Sequence, residues 1–230
     1  MADSSGGAGR SPGQTLCDFI GEEAWADLAR HGFHRRHHAG SQLLRQGEPG
    51  THVLAVLSGV AKVVRHERDG GLTLLAFRGP GELLGEVAVL DDGVRLANVE
   101  ALSSCVVAVL SKTEFLGFAA RHDLFPVLVR YALTRLRESD QARGGGDVLA
   151  RLAAVLVRLA DISGQAAGRP DQPLELALTR HELAQYLQTS RNTITSKLAE
   201  LECCRVEARR TRIVIHDLAV LRQVAASLNG

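Results

Sequence analysis

The C-terminal third of the chain contains the stretch that decides its fold, residues 178–201, with the sequence LTRHELAQYLQTSRNTITSKLAEL. Thr179 and Glu182 have the spacing of a capping box, in which the hydroxyl and the carboxylate each accept a backbone amide at the start of a helix. A tight turn at 188–189 follows the first helix, and Ser190 is placed to cap a second one. The stretch therefore predicts two short helices joined by a turn.

The second of these helices has two distinct faces. Its inward stripe consists of Ile194, Leu198 and Leu201. A helix whose outward side chains form hydrogen bonds fits the DNA major groove, where arginine matches guanine and asparagine matches adenine. The predicted DNA contacts on the outward face are Arg191, Asn192, Thr195 and Ser196, with Ala199 beside them. The sequence thus predicts a helix-turn-helix, and a plain helical hairpin with a solvated polar face is the alternative.

Further polar residues around this motif are suited to the DNA backbone. Thr179, Arg180 and Ser190 are expected to contact phosphates, which set register rather than sequence preference. The basic turn 209–212 leads into the strand-like run 213–215, a pattern typical of a wing. Arg210 in that turn is expected near a phosphate, which would make binding sensitive to salt. A solvated basic turn is the alternative.

The DNA-binding domain is predicted to extend over 147–230. An amphipathic helix is marked by Leu149, Leu152, Leu156 and Leu159. The polar loop 164–173 and a short strand at 174–178 follow it. Three consecutive glycines at 144–146 disfavour a continuous helix, so we interpret them as a hinge between domains, with an ordinary loop as the alternative.

A longer helix is predicted over 123–143, upstream of the glycines. Its seam residues are Phe125, Leu128, Ala132, Leu136 and Ser139, at spacings of three and four. Such a seam is typical of helices that pair with one another. We therefore assign 123–146 to a dimerisation helix and hinge, and packing of the same stripe on the preceding domain is the alternative.

The preceding part of the chain, 15–122, begins with a predicted helix at 15–30. After this helix the pattern of apolar and turn-forming residues changes. Short apolar runs alternate with glycine-containing turns, and the runs are 52–57, 60–64, 72–77, 99–102 and 105–110. Many short strands at this spacing favour an antiparallel barrel or jelly roll. Residues 1–14 are rich in glycine and serine and predict a disordered tail.

One cassette in this region, GELLGEVAVLDDGVRLA at 81–97, resembles the phosphate-binding cassette of cyclic-nucleotide-binding domains, and this resemblance implies that its groups bind a cyclic phosphate. Arg95 presents a fork for two phosphate oxygens. Gly85 permits close backbone approach, and the amides near Val87, Ala88 and Ala97 are suited to complete a phosphate cradle. With the helix-turn-helix, the cassette makes residues 16–222 resemble the CRP/FNR family of bacterial regulators.

This resemblance implies an α+β protein with an N-terminal antiparallel jelly-roll barrel, a long dimerisation helix and a C-terminal winged helix-turn-helix. It implies a cytoplasmic homodimer that regulates transcription on a near-palindromic double-stranded DNA operator, with RNA polymerase as a partner. The effector would be a cyclic nucleotide similar to cyclic AMP. Glu86 would accept the ribose 2′-hydroxyl, and Ser139 would donate to the base. Leu96 departs from the usual small residue after the arginine, which puts cyclic AMP itself in doubt.

Three rival functions stay open at the sequence level. The first is a regulator of the same family that binds DNA without a nucleotide. The second is a metal-dependent barrel enzyme built on His31, His34, His37 and His38, although these residues do not converge easily and no nucleophile–base pattern is present. The third is a nucleotide-binding interaction module with no role on DNA. We expect neither catalysis nor a metal.

The composition and the cysteines limit the possible functions of the protein only broadly. The formal net charge of +1 predicts no partner by itself. No apolar run is long enough to span a membrane, and no signal peptide is recognisable, so we expect no membrane association. The four cysteines are scattered except for the adjacent Cys203 and Cys204, which leaves a redox role for that pair as an open alternative.

Overall fold

The computed structural model describes residues 15–141, 147–163 and 173–228, and for 136–141 it describes only the backbone. The predicted disordered tail at 1–14 and the predicted glycine hinge at 144–146 lie outside the described residues. The chain order is a β-rich region, a long helix and a mainly helical C-terminal region. The mixed α+β fold predicted from the sequence is confirmed.

Two four-stranded antiparallel sheets form the N-terminal region, with strand orders β1-β8-β3-β6 and β2-β7-β4-β5. The strands are β1 (Phe33–His37), β2 (Gln42–Leu44), β3 (His52–Ser58), β4 (Ala61–His66), β5 (Leu72–Arg78), β6 (Leu83–Leu84), β7 (Asn98–Ala101) and β8 (Cys105–Ser111). Aliphatic residues from both sheets, including Leu54, Val56, Val99 and Val107, form a core between them. The sequence missed β1, β2 and β6, because the first is polar and the others are very short.

Short helices surround these sheets: α1 (Leu16–Ile20), α2 (Glu22–His31), α3 (Glu86–Leu90) and α4 (Lys112–Arg121). The prediction of one helix over 15–30 was wrong in detail, because Gly21 separates α1 from α2. Gly21 has φ +84°, a conformation that glycine adopts without steric cost and that interrupts a helix. Thr15 and Asp18 form a capping box at the start of α1, which fixes that boundary.

The long helix α5 spans Phe125–Gln141. Its predicted seam was only partly right, because Leu128 is buried against the barrel together with Tyr131. The exposed apolar residues on α5 are Phe125, Val129 and Leu133. Sequence spacing alone does not distinguish two neighbouring apolar stripes on one helix, and the barrel takes one of them. The side chains of Leu136 and Ser139 lie outside the described part.

The C-terminal region consists of α6 (Val148–Ile162), β9 (Leu174–Leu176), α7 (Arg180–Tyr186), α8 (Arg191–Glu200), β10 (Val206–Ala208), β11 (Ile213–Ile215) and α9 (Leu218–Leu228). The strands form an antiparallel sheet in the order β10-β11-β9. The predicted stripe on α6 is confirmed, since Leu152, Leu156 and Leu159 are fully buried. Within the described ranges, no helix has the length and apolar character needed to span a membrane.

Candidate functional site

Seven of the eight predicted effector residues line one cavity of the barrel, and the side chain of the eighth, Ser139, lies outside the described part. Its walls include Gly85, Glu86, Val87, Ala88, Arg95, Leu96 and Ala97. The cassette forms the end of β6, the helix α3 and the loop that leads to β7, so one continuous segment supplies most polar groups. Aliphatic residues of β2, β4 and β7 complete the lining. The cavity is therefore an apolar space with a few convergent polar groups, as small-molecule sites usually are.

Arg95 is held rigidly in this cavity. Only 4 % of its surface is exposed. Its guanidinium donates to the backbone oxygen of Gly85 at 2.5 Å and to that of His52. Its backbone amide donates to Glu48 O at 2.8 Å, and its carbonyl accepts from Gly47 N at 2.9 Å. The guanidinium is thus fixed by the chain itself at the site predicted for a phosphate.

Gly85 is required here by the position of Arg95. A Cβ at residue 85 would lie 2.2 Å from Nη1 of Arg95, and the φ of +82° is one that side chains rarely adopt. The sequence predicted close approach at this glycine. The structure shows that a guanidinium of the chain makes that approach.

Glu86 is the acidic group of the cavity. Burial raises its pKa above the usual range of a glutamate, although its own backbone amide and the guanidinium groups of Arg78, Arg135 and Arg95 act in the opposite direction. The carboxyl therefore lies in an environment that penalises its charged form. A carboxyl with a perturbed pKa inside a cavity is a candidate functional group.

Three charged residues near Glu86 were missed by the sequence analysis. Glu82 lies between two guanidinium groups, with Arg78 Nε at 3.1 Å from Oε2 and Arg135 Nη2 at 3.4 Å from Oε1. Both Glu82 and Arg135 are buried. No sequence signal could have found this cluster, because its members come from β5, the turn before β6 and the helix α5.

The helix-turn-helix has the local structure that the sequence predicts. Thr179 Oγ1 accepts from Glu182 N at 3.2 Å, and Glu182 Oε2 accepts from Thr179 N at 2.7 Å, which completes the capping box. Gln188 takes the turn conformation with φ +50°. Ser190 Oγ then accepts from Thr193 N at 3.0 Å and begins α8. The turn and both helix starts follow from local hydrogen bonds.

The outward face of α8 is open. Ile194 and Leu198 are buried against the domain core. The exposed residues of this helix include Arg191, Asn192, Thr195, Ser196 and Ala199. The hydroxyl of Thr195 donates to Arg191 O at 3.0 Å, so it is partly engaged with the helix backbone. The face carries the donors and acceptors that base edges require.

The arginines around α8 fall into two groups. Arg180 is half-buried and donates to Ala208 O at 2.5 Å, which ties α7 to the strand β10. In the turn between β10 and β11, Arg209 and Arg212 form ion pairs with Glu207 and Glu175. Arg210 is exposed in the same turn, and it has no carboxylate at ion-pair distance in the part of the chain that the structure describes.

The remaining candidates from the sequence do not assemble into a metal site. Across residues 15–141, 147–163 and 173–228, no group of three or more His, Cys, Asp or Glu side chains is arranged to hold a metal. His31 contacts Asp27 O at 2.8 Å, and His34 contacts Ala29 O at 3.2 Å. Cys203 and Cys204 are free thiols with sulfur atoms 3.7 Å apart. Burial and the neighbouring cysteine raise the pKa of Cys204 to about 11.

Comparison with known proteins agrees with this geometry. Residues 34–122 match the model of the cyclic nucleotide-binding domain, and residues 150–224 match the Crp-like helix-turn-helix domain. The cyclic AMP receptor protein of Thermus thermophilus is 32 % identical over 215 residues, which cover 88 % of this chain and 93 % of that protein. This chain belongs to the CRP/FNR family of transcription regulators.

A further relative and two solved structures are also similar to this chain. The CRP-like cAMP-activated global transcriptional regulator of Mycobacterium tuberculosis is 28 % identical over 165 residues, 70 % of this CRP/FNR-family chain and 73 % of the relative. A CRP/FNR-family regulator of Thermus thermophilus superposes with a TM-score of 0.58 at 24 % identity, covering 85 % of this chain and 100 % of the other. FixK2 of Bradyrhizobium japonicum superposes with a TM-score of 0.58 at 19 % sequence identity, and the match covers 86 % of this chain and 96 % of FixK2. These structures support the fold.

Proposed function

We propose that this regulator is a homodimer that binds a cyclic nucleotide in the barrel and, in response, a near-palindromic DNA operator. The observation that carries the proposal is the meeting of Glu86 and Arg95 in one apolar cavity. Arg95 presents a guanidinium to the cyclic phosphate, and Glu86 presents a carboxyl to the ribose 2′-hydroxyl. Relatives described as cAMP-activated and as a cyclic AMP receptor support this assignment.

The dimer and the operator follow from separate features. The exposed stripe Phe125, Val129 and Leu133 on α5 is an apolar surface of the kind that a second copy covers. Two copies related by a two-fold axis would place two α8 helices in successive major grooves, which predicts half-sites about one helical turn apart. Residues 15–122 then form the effector domain, 123–146 the dimerisation helix and hinge, and 147–230 the DNA-binding domain. RNA polymerase is the expected partner in the cytoplasm.

The test is fluorescence anisotropy of the purified protein on its own upstream DNA, with cyclic AMP, cyclic GMP and cyclic di-GMP titrated in turn. We expect one nucleotide to tighten binding by at least about fivefold, the lower end of usual coupling between sites. Arg95→Ala should abolish that gain. Arg65→Ala is the matched control, because Arg65 is an exposed arginine that pairs with Glu67 outside the cavity.

A second candidate function has its own observation. The guanidinium of Arg95 is already bound to two backbone carbonyls, and Glu82 already lies between Arg78 and Arg135. A cavity whose cations are satisfied by the chain itself is compatible with a regulator that binds DNA without any nucleotide. Equal operator affinity with and without every nucleotide would select this second function.

A further inference from the structure

Two adjacent cysteines follow the helix α8 and differ in their exposure. Cys203 and Cys204 belong to the short 3-10 helix Glu202–Cys204, which begins directly after the C-cap of α8 at Leu201. Cys203 is exposed, whereas Cys204 is fully buried. Both thiols are free, and their sulfur atoms lie 3.7 Å apart. A reagent that bonds to Cys203 from solution therefore has the second thiol within contact distance.

The separation of the two sulfur atoms suits a bridge by one atom better than a direct bond. A disulfide needs its Cα atoms more than about 4.4 Å apart in most cases. Adjacent residues joined by a trans peptide have Cα atoms only about 3.8 Å apart, so a direct bond between Cys203 and Cys204 would be strained. Two sulfurs that share one tetrahedral centre at the zinc–sulfur length of about 2.3 Å are about 3.8 Å apart. The observed separation of 3.7 Å is close to this value.

The small number of ligands limits what can occupy the pair. Zinc takes at least three protein ligands. Among the residues that the structure describes, no group of three or more His, Cys, Asp or Glu side chains is arranged to hold a metal. A linear two-coordinate ion at the same bond length would hold the sulfurs about 4.6 Å apart, which is too far. The occupant must therefore be soft, non-linear and satisfied by two thiolates.

Trivalent arsenic meets these conditions. It is thiophilic and pyramidal, and two bonds to sulfur leave only one position, which its own substituent fills. The order of bonding follows from the exposure of the two thiols. Burial is the first cause that raises the pKa of Cys204 to about 11, so this thiol stays protonated at neutral pH. Cys203 bonds first, and the second bond then forms at the high effective concentration of tethered groups.

We propose that Cys203 and Cys204 form a two-thiol site for trivalent arsenicals, and that its occupation weakens operator binding. One R–As=O reacts with the two thiols to give R–As(S–Cys)2 and one water. Two As–S bonds form, while the two S–H bonds and the bonds from arsenic to its oxygen break. Both thiol protons leave in the water molecule. Arsenic stays trivalent, so the reaction needs neither an oxidant nor a reductant.

The pair can act on α8 because Cys204 is part of the core that anchors this helix. Cys204, Leu198 and Leu201 belong to one buried cluster. The amide of Cys204 donates to Leu201 O at 3.0 Å, which ties the 3-10 helix to the end of α8. A bridge to Cys203 puts a bulky group beside this close-packed core, where even small changes of volume are felt. The inference rests on the proposed function only for its readout, operator binding, and not on nucleotide gating.

The first experiment measures arsenical binding by the mass of the intact protein. The reduced protein is treated with phenylarsine oxide and then with excess glutathione, a monothiol that removes arsenic held by a single cysteine. We expect one phenylarsenic group per chain to remain, and the dithiol 2,3-dimercaptopropanol to remove it. Cys203→Ser should lose the retained group, and it should fold because Cys203 is exposed. Cys17→Ser is the matched control and should keep it, because Cys17 is a partly exposed thiol on α1.

The second experiment measures operator affinity by anisotropy on the same glutathione-washed samples. We expect the arsenical to lower the affinity of the protein with both cysteines by at least about fivefold and to leave Cys203→Ser unaffected. An arsenical that glutathione removes, or that Cys203→Ser retains, would overturn the site. A retained arsenical with unchanged operator affinity would overturn its effect on α8. Failure of the proposed function has a different signature, because the untreated protein would then not bind the operator, while the retained mass would still be found.

Discussion

Glu86 is a residue whose environment in the folded protein lowers the free energy of unfolding above its unfolded pKa. Its pKa is raised by burial. A carboxyl whose pKa is higher in the folded state contributes stability below its unfolded pKa, and that contribution is lost as pH rises through the folded pKa. Above its unfolded pKa, Glu86 therefore opposes folding. Such a residue is typical of a site that is selected for binding.

Glu86→Gln should therefore raise the melting temperature at pH 8 and leave it nearly unchanged at pH 4. For a chain of this size, 1 kcal/mol corresponds to about 2–4 °C, so scanning calorimetry resolves the effect. The same variant should bind cyclic nucleotide less tightly, because an amide is a weaker acceptor for the ribose hydroxyl than a carboxylate.

Glu67→Gln is the control for this prediction. Glu67 is partly exposed, and its pKa is lowered, first by the hydrogen bond from Arg65. Its contribution to stability therefore has the opposite sign, present above the unfolded pKa and lost as pH falls. A higher melting temperature for Glu67→Gln at pH 8, or an unchanged one for Glu86→Gln, would contradict the assignment.

At the scale of elements, we propose that α8 and the turn between β10 and β11 make different contacts with DNA. Arg191 on α8 would contact base edges, and Arg210 between β10 and β11 would contact phosphate. Arg191→Ala should lower operator affinity by about 1–3 kcal/mol and relax the preference at one base position. Arg210→Ala should weaken operator and random DNA alike and reduce the slope of log affinity against log salt by about 1.

Anisotropy on operator and scrambled DNA at several salt concentrations separates these two effects. Arg222→Ala serves as the control, because Arg222 on α9 pairs with Asp161 of α6. If Arg191→Ala and Arg210→Ala lose affinity equally on both DNA molecules, then α8 makes only backbone contacts and the assignment of base readout is wrong.

At the scale of the whole molecule, α5 has one face on the barrel and one face outside it. Leu128 and Tyr131 belong to the barrel side, and Val129 is 60 % exposed on the other. A glutamate at Val129 would place a charge in the middle of the proposed two-fold contact. Val129→Glu should therefore convert a dimer into a monomer in sedimentation velocity, with at least about a tenfold loss of operator affinity, since one half-site is read alone.

Phe33→Glu is the control for this prediction, because Phe33 is exposed on β1 and lies outside the stripe on α5. Its sedimentation should match that of the unmodified protein. A dimer that survives Val129→Glu and dissociates in Phe33→Glu would place the interface on the barrel.

The sequence by itself determined the parts of this protein that depend on short-range rules. The capping box at Thr179, the cap at Ser190 and the stripe on α8 are set by hydrogen bonds and periodicity within a few residues. The cassette from Gly85 to Arg95 is equally local, and the resemblance it carried led to the correct family. The break at Gly21, where φ is +84°, was not predicted. The polar strand β1 was not predicted either, because its pairing with β8 overrides its weak local preference.

Only the tertiary structure decided which groups meet across the chain. It brought Arg78 and Arg135 to Glu82, turned Leu128 toward the barrel, and placed Lys62 against Glu182, 120 residues away in sequence. The physical reason is that burial and charge pairing depend on distances between elements, and these are fixed by the packing of the whole core. Local patterns specify the helices and strands, and packing specifies which charged groups lie close enough to act on one another.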